Sequence, residues 1–211
     1  MARYTGSKVK RSKRVNRNLF NKGARSFSAK DDFAKRPYKP GQHGNSRRFP
    51  RTSQYGKQLI QKQTLRFTYG IMEKQLANHF KKAFRQGGKT GTVVLTNLER
   101  RLDNVVYRGG LANSRDQARQ LVNHGHFTVN GVKTNIPSFA VSAGDVIEVK
   151  ENKLKRPFWQ NFQLTIPNEA PSWIDTSKKN TLKITNLPLE TDLPQDLEIG
   201  LVVEYYSRKV R

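Results

Sequence analysis

The fold is decided by residues 96–149, with the sequence TNLERRLDNVVYRGGLANSRDQARQLVNHGHFTVNGVKTNIPSFAVSAGDVIEV. It contains two capping boxes, Thr96-x-x-Glu99 and Ser114-x-x-Gln117, and each predicts the start of a short helix. Beyond Gly125 the apolar residues alternate, and Asn130-Gly131 is a strong hairpin signal. The pattern predicts a small α+β module of two helices, a hairpin and a further strand.

Helices are predicted before this module. Residues 55–67 are helix-compatible, and residues 71–85 carry Met72, Leu76, Phe80 and Phe84 at intervals of four, which places them on one buried face. After the module, residues 151–190 are predicted to form extended segments and turns. Residues 194–207 are ambiguous, because Val202, Val203, Tyr205 and Tyr206 favour a strand by propensity.

Positive charge dominates the composition. The chain of 211 residues has 40 Lys and Arg against 16 Asp and Glu, and residues 1–51 alone hold 16 basic and 2 acidic residues. Such an excess predicts a polyanionic partner. Nucleic acid is favoured over a membrane, because no apolar stretch approaches the length of a spanning helix and no secretory signal is evident. Without cysteine, disulfides and thiol zinc sites are excluded.

The basic segments allow two interpretations each. Residues 1–51 are either a solvated, disordered tail or an arm that becomes ordered on RNA. The Pro- and Gly-containing loop 35–44 is either a plain surface loop or one that approaches RNA closely. Lysines of helix 71–85 either face solvent or contact phosphates.

Polar residues of the module form another candidate site. Arg115 and Arg119 share a helical face, and Gln120, His124 and His126 follow. They could bind a folded RNA backbone through its phosphates and 2′-hydroxyls. The alternative is a solvated face with an Asp116–Arg119 pair.

Several stretches resemble a known family. Residues 98–108, 114–126 and 129–131 closely resemble the S4 RNA-binding module, and Ala2–Gly6, Pro40–Gly44, Tyr55–Leu59 and Val203–Arg208 resemble the bacterial type of the ribosomal protein S4 family. The resemblance implies an α+β fold in which the module is inserted in a helical body and preceded by an extended basic arm. It also implies a carboxyl-terminal helix over 194–207 that packs on the helices of residues 55–85.

The expected domains are therefore the arm and loop (1–51), the helical body (52–97, completed by 185–211) and the module with its following extended segments (98–184). Charge pattern and resemblance together predict RNA-binding residues at Arg3, Tyr4, Lys10, Arg11, Arg14, Arg36, Lys39, Gln42, His43, Arg47, Arg48, Lys57, Lys62, Lys81, Lys82, Arg101, Arg108, Arg115, Arg119, Gln120, His124, His126 and Lys133.

The resemblance also implies a function on the cytoplasmic ribosome. Such a protein binds the 5′ domain of the small-subunit ribosomal RNA at a multi-helix junction, nucleates assembly, and contributes to translational accuracy near the messenger RNA entry path, beside the third and fifth small-subunit proteins. Some members repress translation of their own operon, a role that stays open here. No homo-oligomer, membrane or cofactor is expected, and the zinc-binding cysteines of some relatives are missing.

Two rival classes are weaker. The same module accompanies catalytic domains in pseudouridine synthases and tyrosyl-tRNA synthetases, but the chain has no Gly-rich phosphate loop, and adjacent Asp31 and Asp32 are weak evidence of an acid/base pair. His124-x-His126 lacks further clustered metal ligands. Charge alone would also permit a DNA-architectural protein, against which the resemblance to an RNA module argues.

Overall fold

The computed structural model describes residues 4–46, 51–164 and 170–210. It combines helices with one antiparallel sheet, which confirms the predicted α+β class. In chain order the helices are α1 (Lys8–Val15), α2 (Asp32–Lys35), α3 (Gln54–Thr68), α4 (Glu73–Gln86), α5 (Thr90–Glu99), α6 (Leu102–Arg108), α7 (Arg115–Asn123), α8 (Glu151–Leu154), α9 (Pro157–Gln160) and α10 (Ile199–Val210). The strands are β1 (Phe127–Val129), β2 (Val132–Thr134), β3 (Val146–Val149), β4 (Ile174–Asp175) and β5 (Thr181–Ile184), and short 3-10 helices cover Gly23–Phe27 and Glu190–Asp192.

The chain divides into two compact units. The helical unit comprises Met1–Val94 and Pro194–Arg211, and the sheet unit comprises Leu95–Leu193. The chain therefore passes from one unit to the other after residue 94 and again after residue 193. The domain bounds inferred from the sequence, with breaks after residues 97 and 184, stay a prediction.

In the helical unit, the predicted helices over 55–67 and 71–85 are present as α3 and α4, and the apolar face predicted for α4 is confirmed except at Met72. The Ser53 hydroxyl begins α3 by accepting a hydrogen bond from the Gly56 N–H at 3.1 Å. Leu76 and Phe80 on α4 are fully buried, whereas Met72, directly before the helix, is exposed. The helix ends at Gly87, whose φ of +72° suits a residue without a Cβ.

The carboxyl-terminal segment is helical, as the resemblance implies, and α10 packs on α3 and α4. Val202 and Tyr206 are four residues apart and fully buried, and the Tyr206 ring stacks on Phe80 at 4.4 Å between centroids. Strand propensity is therefore overridden, because helical spacing presents these side chains to one core.

The amino-terminal arm is partly helical, which corrects the expectation of an extended segment. Helix α1 packs on α3, and Val15 and Leu19 form a small core with Phe67. Buried Asp31 supports the fold around it, accepting hydrogen bonds from Asn18 and from the N–H of Phe33. The apolar contacts of Val15, Leu19 and Phe67 bury surface that stabilises the helical conformation of the arm.

In the sheet unit, α6 and α7 pack together, but the first of the two predicted helix starts is wrong. Thr96 does not begin a helix, because α5 already runs from Thr90, and α6 begins after Arg101. The second start is confirmed: the Ser114 hydroxyl accepts from the Gln117 N–H at 3.2 Å and begins α7. The Gln117 Oε1 accepts a hydrogen bond at 2.7 Å from the N–H of Asn113, the residue before Ser114.

The sheet has the strand order β2-β1-β3-β5-β4, and all its described pairings are antiparallel. The predicted hairpin is confirmed: Asn130 and Gly131, with φ of +50° and +78°, turn the chain between β1 and β2. Strand β2 ends at Thr134.

Residues 151–190 contain more regular structure than predicted. Besides the short helices α8 and α9, the segment adds β4 and β5 to the sheet. Leu182 and Ile184 alternate towards the core and are almost fully buried there with Trp173. Their burial explains why the segment forms strands despite its prolines.

Candidate nucleic-acid interface

A concave basic surface lies between α1 and the loop that follows α2. Lys10, Arg14, Lys39, Pro40 and Gly41 line a cleft of about 410 Å³, and the side chains of its three cations are exposed. In the ranges that the structure describes, no carboxylate pairs with Lys10, Arg14 or Lys39. Three uncompensated cations around a depression suit a phosphate-rich ligand.

Other residues predicted in the arm have mixed positions. Arg36, Gln42 and His43 are exposed, and the last two contact each other through their side-chain nitrogens at 3.1 Å. Arg11 is buried between the rings of Tyr4 and Phe67, with its guanidinium carbon 3.5 Å and 4.6 Å from their centroids. Tyr4 and Arg11 therefore support the fold of the arm. Arg3, Arg47 and Arg48 lie outside the described residues.

Helices α3 and α4 present a second set of exposed cations. The predicted residues Lys57, Lys81 and Lys82 are exposed, and so are Lys74 and Arg85, which the predicted set omitted. All five lack a carboxylate partner among the residues described. They are available to phosphates.

Lys62 differs from its neighbours, because it is buried and structural. Its ammonium is 2.9 Å from a carboxylate oxygen of Glu73 and 5.0 Å from the centroid of the Tyr205 ring. Glu73 also accepts hydrogen bonds from Arg66 at 2.9 Å and from the Tyr206 hydroxyl at 2.7 Å. The predicted RNA contact of Lys62 is therefore corrected: its charge ties α3, α4 and α10 together.

Electrostatics at Glu73 agree with this assignment. Burial alone would raise the pKa of Glu73, but the hydrogen bonds from Lys62, Tyr206 and Arg66 outweigh it and lower that pKa. Burial and then the hydrogen bond to Glu73 raise the pKa of Tyr206, so its hydroxyl stays protonated and donates. The charged carboxylate is thus the form that the fold stabilises.

A buried ion-pair cluster joins α6 to α7 in the sheet unit. Arg101 donates to both oxygens of Asp103, at 3.0 Å and 2.7 Å, and Arg119 donates to one of them at 3.1 Å. The three side chains are 4–7% exposed. Neither interpretation of Arg119 made from the sequence fits, because this arginine pairs with Asp103 rather than Asp116 and is not solvated. We therefore withdraw Arg101 and Arg119 from the predicted RNA contacts.

A second polar network adjoins the first. Buried Glu99 accepts hydrogen bonds from Asn104 at 2.7 Å and from Arg108 at 3.2 Å and 3.1 Å. The Oδ1 of Asn104 accepts from Arg115 at 2.8 Å, and the Arg115 guanidinium lies over the Tyr107 ring at 4.6 Å. Arg108 and Arg115 are thus partly committed to the fold, although both remain partly exposed.

His126 is also a structural residue. It is 6% exposed, and its Nδ1 accepts a hydrogen bond from the Trp159 indole N–H at 2.8 Å. Burial and then the positive charges of Lys153, Arg156 and His124 lower the pKa of His126 to about 4. The imidazole is therefore neutral at neutral pH, and its role as a cationic RNA contact is corrected.

The remaining predicted residues of the module, Gln120, His124 and Lys133, are exposed. The structure adds cations that sequence reasoning did not select, at Lys150, Lys153 and Arg156. Partial burial and then the charges of Arg156, Lys150 and Lys133 lower the pKa of Lys153. The run of basic residues over 150–156 was the signal that could have identified them.

Other site classes find little support. The described residues contain no group of three or more His, Cys, Asp or Glu side chains placed to hold a metal ion. None of the helices in the described ranges has the length and apolar character that crossing a bilayer requires.

Comparisons with known proteins find matches over almost the whole chain. Residues 3–99 match the family model described as the ribosomal protein S4/S9 N-terminal domain, and residues 100–147 match the S4 domain. Proteins named small ribosomal subunit protein uS4 are similar over 99% of this chain and 100% of their own length. The identity is 44% for the protein of Clostridioides difficile strain 630, 46% for that of Mycobacterium marinum and 47% for that of Desulfatibacillum aliphaticivorans.

Proposed function

Because the chain belongs to the family of the small ribosomal subunit protein uS4, we propose that it binds small-subunit ribosomal RNA as a structural, non-enzymatic component of the ribosome. Its place of action is then the small ribosomal subunit. The partner is a folded RNA whose phosphates neutralise the excess of positive charge.

One observation carries the proposal: the fold separates its cations into two groups. Arg101, Arg119 and Lys62 are buried against carboxylates. The cations of the cleft, Lys10, Arg14 and Lys39, are exposed and have no carboxylate partner among the described residues. Cations that a fold leaves exposed and crowded favour the binding of a polyanion, because each neutralised phosphate releases counterions.

The finer role rests on the family resemblance. We propose binding to the 5′ domain of the RNA at a multi-helix junction, nucleation of assembly, and a contribution to translational accuracy near the messenger RNA entry path. The third and fifth small-subunit proteins are the proposed neighbours. Repression of the protein's own operon is a further expectation of the same kind, and a homo-oligomer is not required.

The test compares three ligands of matched length. The purified chain is titrated with a transcript of the 5′ domain, with an unrelated folded RNA and with duplex DNA, at ~150 mM salt, where non-specific binding is weakened. We expect the 5′-domain transcript to bind at least about tenfold more tightly than either control, since specific complexes exceed non-specific ones by large factors. Equal affinities for the three ligands would overturn the proposal.

A further inference from the structure

The sheet unit carries a basic surface built around an exposed aromatic ring. We call it the Phe158 surface and define it by Phe158 together with its basic rim, which consists of His124, Lys133, Lys150, Lys153 and Arg156. His124 follows α7, Lys133 lies in β2, Lys150 follows β3, Lys153 lies in α8, and Arg156 lies between α8 and α9. The ring centroids of His124 and Phe158 each lie 6.4 Å from that of His126, and the Lys133 side chain lies beside Gly125.

The rim is crowded with like charges. Burial and then the charges of Arg156, Lys150 and Lys133 lower the pKa of Lys153. Burial and then the charges of Lys153, Arg156 and His124 lower the pKa of His126. Within the portions of the chain that the structure describes, no ion pair joins a rim residue to a carboxylate. Like charges held together without an anion repel one another, so the surface favours an anionic ligand.

Phe158 is held in place by other rings but is not enclosed by them. Its ring meets Trp159 edge-on at 5.2 Å and 88°, and it lies 5.6 Å from Phe162. Trp159 is fixed in turn by its hydrogen bond to His126. Phe158 nevertheless keeps 37% of its surface exposed. A positioned, exposed ring beside cations is the arrangement on which unpaired bases stack.

We propose that the Phe158 surface binds an unpaired nucleotide of the RNA, with its base stacked on Phe158 and its phosphates bound by Arg156, Lys153 and Lys133. The inference rests on the proposed function and adds a site specific for single-stranded RNA. Duplex RNA does not fit as well, because its bases are already stacked and cannot reach the ring. An acidic protein segment would satisfy the rim but would make no use of the exposed ring as a stacking platform.

The first test removes the aromatic ring but keeps an apolar side chain at position 158. Phe158→Leu is titrated with the 5′-domain transcript, and Phe139→Leu serves as the control, because Phe139 has the same 37% exposure in the same unit. We expect Phe158→Leu to weaken binding by about fivefold to a hundredfold, the range for loss of one stacked base, and Phe139→Leu to bind like the wild type. Far-UV circular dichroism and the urea unfolding midpoint show that the variants are folded.

Equal binding by Phe158→Leu and the wild type would overturn the inference, and so would an equal loss in both variants. An effect seen only when other ribosomal proteins are present would indicate a protein partner and would also overturn it. A wild-type chain that shows no preference for the transcript is a different outcome, because it contradicts the proposed function itself.

The second test locates the nucleotide. The chain has no cysteine, so a single cysteine introduced by Gln160→Cys directs an iron–EDTA cleavage reagent to the exposed end of α9. Lys178→Cys, exposed between β4 and β5 at the sheet edge opposite β2, is the matched position. We expect Gln160→Cys to cleave the transcript at unpaired nucleotides that Lys178→Cys leaves intact. Absence of cleavage, or cleavage within a duplex, would contradict the site.

Discussion

Neutralising Asp103 should destabilise the sheet unit strongly. Asp103→Asn keeps the size of the side chain but removes the charge that both Arg101 and Arg119 contact at 2.7–3.1 Å. The two guanidinium groups would stay 4% and 7% exposed without an anion. Breaking a buried pair in this way costs about 3–5 kcal/mol, because an uncompensated charge stays buried.

The assay is urea unfolding followed by tryptophan fluorescence. Both tryptophans, Trp159 and Trp173, lie in the sheet unit, so the signal reports the unfolding of that unit. With a urea slope of ~1–3 kcal/mol per molar, the midpoint should fall by about 1 M or more. Glu148→Gln is the matched control, since it neutralises an exposed carboxylate of the same unit, and it should change the free energy of unfolding by less than ~0.5 kcal/mol.

Equal midpoints for Asp103→Asn and the wild type would refute the reasoning. They would mean that Arg101 and Arg119 are solvated in solution, and both would return to the set of candidate RNA contacts.

Three further predictions concern His126, the pair Lys62 and Lys81, and the hairpin residue Gly131. Below pH 6.5, His126 binds a proton in the unfolded state but not in the folded state, where its pKa is about 4. The free energy of unfolding of the sheet unit should therefore fall by on the order of 2 kcal/mol between pH 6.5 and pH 4. His126→Gln should lose less over that interval in pH-dependent urea melts, and an identical loss would contradict the assignment. Lys62→Met should destabilise the helical unit, measured by circular dichroism, and leave RNA affinity per folded molecule unchanged, whereas Lys81→Met should do the reverse. Gly131→Ala should lower the free energy of unfolding by about 1 kcal/mol, because φ is +78° at that position. An unchanged free energy of unfolding would show that the hairpin turn adapts to the substitution.

Local signals predicted much of the fold. The Asn130-Gly131 turn depends on two adjacent residues that tolerate positive φ, and the apolar stripe of α4 depends on spacing within one helix. Both were therefore visible in the sequence. The capping box at Thr96 was misleading, because a capping sequence can also occur inside a helix that has already begun at Thr90.

The roles of the charged residues were less predictable. Spacing places Arg115 and Arg119 on one face of α7, but it does not say what that face meets. Asp103 lies 16 residues before Arg119 and reaches it only through the packing of α6 on α7. The same limit applies to Lys62, which differs from exposed Lys57 only through its contact with Glu73 across helices. Burial is a property of the tertiary fold, and a basic residue type alone does not reveal it.

The central claim is that the exposed, uncompensated cations bind phosphates. Its most direct test is the salt dependence of transcript binding by a chain carrying Lys10→Gln, Arg14→Gln and Lys39→Gln, compared with the wild type. The account predicts that the slope of log affinity against log salt becomes shallower by about 2–3, because each lost phosphate contact removes ~0.7–0.9. An unchanged slope, with the fold intact, would contradict it.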